Sequence, residues 1–122
     1  MSVSSTANKG EKMSLDFYLQ YEIDDNEIEV FDANITHNLN EMAKQVGIYE
    51  ALWHHTRINA VYAKDIIGKL DSGYNQLVAD PAKYKKFDSP NGWGKYDNFV
   101  PFVKKVLDAC EKYPNAKIKT DI

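Results

Sequence analysis

Cysteine is nearly absent: one residue in 122, which excludes an internal disulfide framework and any cysteine-rich metal site. Long apolar runs are missing too. No stretch approaches the roughly 20 residues that span a bilayer, and no signal peptide opens the chain, so the expectation is a soluble, intracellular protein without membrane contact. Excess positive charge is also lacking. With 15 basic and 18 acidic side chains the net charge is −3, which argues against a partner such as long nucleic acid. Catalytic signatures are equally scarce: there is no GxSxG, no Walker-type phosphate loop and no carboxylate dyad. What remains is 43% hydrophobic and 27% charged residues, the balance of one globular domain.

The charge is divided unevenly. Residues 1–60 hold four basic and ten acidic side chains, whereas residues 61–122 hold eleven basic and eight acidic. Scatter over solvated faces accounts for this. The sharper alternative is a modest cationic surface in the second half, sufficient for a small anion but not for a long phosphate backbone.

Residues 1–13 are polar and without apolar periodicity, and are expected to form a disordered tail preceding a single domain over 14–122. Leu15, Phe17, Leu19 and Tyr21 alternate with polar neighbours as in a half-buried strand. Asp24-Asp25-Asn26 supplies turn chemistry and Glu27–Phe31 alternates again, which predicts a β-hairpin. Leu39, Met42, Ala43 and Val46 then mark one face of a helix that Gly47 terminates in a left-handed conformation. Ile48–Trp53 reads as a short helical turn and His54–Arg57 as a polar connection. A longer helix is predicted from Val61 to Ala79, with Ile66, Ile67, Leu70, Tyr74, Leu77 and Val78 as its apolar face. Gly68 and Gly73 lie inside it at a cost of about 1 kcal/mol each. Pro81–Phe87 forms one more short turn. A third helix is predicted from Asp97 to Tyr113, in which Pro101 is tolerable only near the first turn. Alternation from Ala116 to Ile122 predicts a last strand beside the hairpin. The fold class is α+β: an N-terminal hairpin, three main helices and a C-terminal strand, with a small antiparallel sheet covered by helices.

Two segments concentrate candidate binding residues. Asn34, Thr36, His37 and Asn38 crowd the strand-to-helix junction, where one or two capping side chains suffice. Capping and a ligand-facing role both remain open. The Ser89–Gly94 loop sets Trp93 between two glycines, with Lys95 and Tyr96 following. Trp93 is either a core plug or a platform on which a base stacks, with the Lys95 ammonium near its phosphate. Elsewhere, Glu50 and His54 have i, i+4 spacing but no second ligand pair, so no metal is expected. Cys110 falls on the apolar face of its helix and reads as a buried, unreactive thiol. No cofactor is implied, and the chain is read as a non-enzyme. Eight tyrosines and two tryptophans suit a homo-oligomer, whose interfaces favour such residues.

The segments VFDANITHNL, GIYEALW, NGWGKYDNFVPFV and LDACEKYPNA, in this order, resemble a widespread family of small phage and prophage proteins over about Ser14 to Ala116. The specific marks are NITHNL, Trp53 and the NGWG-x-Tyr loop. That family looks like the one whose members act as anti-CBASS nucleotide sponges. The resemblance implies an oligomeric, non-enzymatic immune-evasion protein in the cytoplasm of an infected bacterial host. It would sequester 3′,3′-cyclic GMP–AMP or a related cyclic dinucleotide. The chain departs from the family at His54-His55-Thr56-Arg57, where an Arg-Pro-Glu-Glu-like stretch is usual. On this reading Asn34, Thr36, His37 and Asn38 read base edges, Trp93 and Tyr96 form the platform, and Arg57 or Lys95 supplies charge. The alternative is a phage protein that inhibits a host protein through the aromatic loop.

Overall fold

The computed structural model describes residues 14–90, 92 and 94–122; the expected tail over 1–13 and the position of Trp93 lie outside the described residues. Strands β1 (Ser14–Ile23) and β2 (Asn26–Thr36) form the expected hairpin, and β3 (Lys117–Asp121) adds to the other side of β1. All pairs are antiparallel, in the spatial order β2-β1-β3. The hairpin turns at Asp24 and Asp25, whose φ values of 50° and 66° are those of a type I′ turn, which matches the right-handed twist of the strands. One register shift, between Leu19 and Gln20, leaves Val30 as an extra residue on β2.

Helices α1 (Asn40–Gln45), α2 (Tyr49–Trp53), α3 (Ile67–Ala79), α4 (Pro81–Lys85) and α5 (Tyr96–Lys112) complete the fold. Leu15, Phe17 and Leu19 project from one face of β1 and are fully buried. They share one core cluster with Phe99, Val103, Val106 and Cys110 of α5, which are equally buried. Each large apolar side chain so removed from water contributes about 1.5–3 kcal/mol. The helices therefore cover one face of the sheet, as the alternation of β1 requires. Burial pushes the Cys110 thiol up to about 12, with Glu111 adding to the effect, which keeps it protonated.

Gly47 ends α1 with φ +75°. Its N–H donates to the Lys44 carbonyl and that of Ile48 to Ala43, the paired bonds of a Schellman motif. The expected helix from Val61 begins later, at Ile67. The Asp65 carboxylate accepts from the N–H groups of Val61 and Tyr62 at 3.0 and 2.9 Å, which holds these residues in an extended entry and a short 3-10 turn. The same segment is tied to the third strand, with Ile118 donating to the Val61 carbonyl and Ala63 donating to Ala116. Pro101 also departs from expectation. It occupies the sixth residue of α5, beyond the first turn, on the exposed side of the helix. There its missing N–H leaves only the Asp97 carbonyl without its helical partner, near solvent.

Candidate functional site

The two motif-bearing segments meet. Gly94, with φ +105°, lies so close to the junction that a Cβ there would stand 3.0 Å from Thr36 Cγ2, 3.1 Å from Asn38 Cβ and 3.3 Å from Leu39 Cγ. Glycine is required at this point for both reasons. The loop is closed by Ser89 donating to the Gly94 carbonyl at 2.9 Å, and the Asp88 carboxylate accepts the N–H of Tyr96 at 2.7 Å. Asp88 thus takes up one of the unpaired donors at the start of α5.

Most of the predicted polar readers are engaged in holding this junction together. Thr36 Oγ1 accepts from the Asn38 N–H at 3.3 Å and caps the 3-10 turn His37–Leu39. His37 Nδ1 accepts from the Trp53 indole at 2.8 Å, which places the proton of the neutral ring on Nε2. Trp53 is buried and stacks on Tyr49 with centroids 5.6 Å apart, and Tyr49 in turn bonds His54 Nε2 at 3.0 Å. Burial holds the His54 pKa below its usual value, with the Arg57 charge adding to the effect. The spacing of Tyr49 and Trp53, four apart on one helix face, was the sequence signal for this aromatic cluster.

Two assignments change in the structure. Tyr96 is not a platform: its ring is 8% exposed and its hydroxyl donates to the Leu77 carbonyl at 2.7 Å, joining α5 to α3. Its face is used by the core, and burial raises its pKa. Arg57 is exposed on the 3-10 turn after α2, where its charge acts on His54, and it is not among the groups lining the groove described next. Lys95 is exposed at the N-cap of α5, adjoining the Gly94 contact.

A groove of about 430 Å³ runs between the edge strand β2 and α5, lined by Asn34, Ile35, Asn98, Pro101, Phe102 and Lys105. Asn34 uses both amide hydrogens within the sheet, donating to Ser14 Oγ at 2.9 Å and Asp16 Oδ1 at 2.7 Å. Asn34 alternates with the buried Ala33 and Ile35, so its side chain lies on the open face of the sheet and the residue borders the groove at the strand edge. Asn98, Pro101 and Lys105 form an i, i+3, i+7 stripe on α5, flanking its core face on the side of Phe102. Phe102 and Ile35, both buried, form the apolar floor. Among the described residues Lys105 has no ion-pair partner, unlike the neighbouring Lys104, which is 2.9 Å from Asp108. Sequence reasoning missed Asn98 and Lys105 because it followed the apolar face of this helix. The polar stripe around Pro101 was the available signal. A second concavity of similar size, on the sheet, is lined by Tyr18, Gln20, Glu29, Lys119, Thr120 and Asp121. Two carboxylates against one ammonium make it less suited to an anion.

Among the described residues no cluster of three metal-binding side chains occurs, and no helix is long and apolar enough to cross a membrane. No family model, curated protein or solved structure matches the chain.

Proposed function

We propose that the protein binds a cyclic dinucleotide, such as 3′,3′-cyclic GMP–AMP, in the groove between β2 and α5 and retains it unhydrolysed. The carrying observation is the lining of that groove, which joins the Asn98 amide, the Lys105 cation and an apolar floor. The Asn98 amide suits a base edge, the Lys105 ammonium suits a phosphate, and the buried Phe102 and Ile35 close the floor beneath them. Gly94 lies against Thr36 and Asn38, and Lys95 beside it adds a second cation at the start of α5. The proposed setting is a phage-infected bacterium, in whose cytoplasm the sequestered signal cannot reach its effectors.

The test is equilibrium binding to a cyclic dinucleotide panel, followed by denaturation and chromatography of what is released. Recovery of intact nucleotide in stoichiometric amount supports sequestration. Altered nucleotide would mean an enzyme, and absence of binding across the panel overturns the reading.

A further inference from the structure

The hairpin outruns the core. β3 pairs with β1 only from Asp16 to Gln20, whereas the ribbon continues to the turn at Asp24 and Asp25. From Glu22 to Glu29 every residue is exposed. Residues directly opposed on paired strands share a face, so Tyr21, Ile23 and Ile28 prolong the stripe that Leu15, Phe17 and Leu19 bury. Beyond the core that stripe is uncovered by the described residues: Ile23 is 52% and Ile28 44% exposed. The other face of the arm sets Glu22 directly across from Glu27, a like-charge pair that destabilises the ribbon. Lys117, 3.8 Å from Glu22, and a bond from Gln20 to Glu27 are the compensating contacts. No Lys or Arg occurs between Ser14 and Ala43. A two-stranded ribbon is marginal on its own, and this one carries an apolar face and an excess of carboxylates.

The complementary surface lies at the opposite end. Exposed Lys83 and Lys86, three residues apart at α4, are held over the rings of Tyr84 and Phe87 at 5.4 and 5.6 Å. Val78, at the end of α3, is 42% exposed. Lys85 reaches Asp97 at 4.0 Å near the start of α5, while Tyr113, just past the end of α5, packs on Tyr21 with centroids 6.2 Å apart. The 17 residues of α5 therefore separate the lysines from the base of the arm by roughly 25 Å. A single copy cannot bring its own lysines to its own arm.

We infer that the arm Gln20–Glu29 of one copy docks on the Lys83, Lys86 and Val78 surface of a second copy, head to tail. Pairing of arm with arm is disfavoured, because it sets Glu22, Glu27 and Glu29 against the same carboxylates. A head-to-tail contact repeats until it closes a ring or extends a chain. The inference concerns assembly and stands apart from the ligand reading, since its test requires no nucleotide.

Sedimentation velocity on the full chain across a concentration series should show self-association that weakens as salt screens the charges. The double variant Glu27→Lys/Glu29→Lys should raise the dissociation constant by about tenfold or more, and Lys83→Glu/Lys86→Glu should do the same. An equimolar mixture of the two variants should associate again, because each arm then faces a base of opposite charge. Circular dichroism confirms that both variants are folded. A monomer at every concentration overturns the inference. So does association that survives either reversal, or a mixture that fails to restore it.

Discussion

The junction at Thr36–Leu39 and the outer stripe of α5 are both polar, but they hold their polar groups in opposite ways. At the junction Thr36 is a cap, His37 is bonded to the Trp53 indole, and Gly94 closes against Thr36 and Asn38. On α5, Asn98 and Lys105 flank a groove and contribute little to packing. Polar density in a sequence therefore marks where hydrogen bonds are needed, which is at a crowded chain reversal as often as at a ligand. The useful distinction is whether the partners come from the chain itself.

The comparison breaks most visibly at Gly94. Gly94→Ala forces a side chain into a left-handed backbone and against Thr36, so stability should fall by roughly 3 kcal/mol, read as a lowered midpoint in urea. An unchanged midpoint would show that the loop does not close on the junction.

Trp53→Phe keeps the ring but removes the indole donor from His37 Nδ1. The expected loss is about 1–2 kcal/mol, the cost of an unmet partly buried acceptor. If His37→Ala in the Trp53→Phe background costs as much as it does alone, the two residues are not coupled.

The two glycines of α3 sharpen the same lesson inside a helix. Gly73 is buried, and a Cβ there would run into Ile48 Cγ2, whereas Gly68 has open space around it. Gly73→Ala should destabilise by about 1 kcal/mol, the clash outweighing the gain in helix propensity. Gly68→Ala should stabilise by about 0.5–1 kcal/mol. Thermal melts of the pair should shift in opposite directions, and equal shifts would refute the packing assignment.

The smallest stability effect belongs to the groove. Lys105→Gln should change stability by no more than about 0.5 kcal/mol, since the side chain is exposed and has no ion-pair partner among the described residues. Affinity for a cyclic dinucleotide should nevertheless fall by about tenfold, the worth of one charge-assisted hydrogen bond. Calorimetric titration on the variant separates the two quantities, and undiminished affinity would remove Lys105 from the site.

Much of the fold was legible where the information is local. Period-two alternation marked β1, β2 and β3, the Asp24–Asp25 turn matched its flanking strands, and Gly47 ended α1 in the expected left-handed conformation. The start of α3 was not legible. The apolar spacing that extends the helix back to Val61 competes with the Asp65 carboxylate and with bonds to Ala116 and Ile118, some fifty residues away. Pro101 falls one position further into its helix than the expected start at Asp97 implies, because α5 begins at Tyr96, and it is tolerated there on the exposed side of the helix.

The candidate site divides along the same line. Residue types and spacing by themselves determined that two segments, Asn34–Asn38 and Ser89–Tyr96, carry more polar and aromatic groups than their elements require. Only the tertiary structure decided which of them remain available, because a hydrogen bond from Trp53 to His37 or from Tyr96 to Leu77 joins residues 16 and 19 positions apart. It also brought Asn98 and Lys105 beside Asn34, across the gap between a helix and a sheet edge. Local periodicity reports which face of an element is buried. Packing alone determines what stands opposite the other face, since that depends on chain segments that meet only after folding.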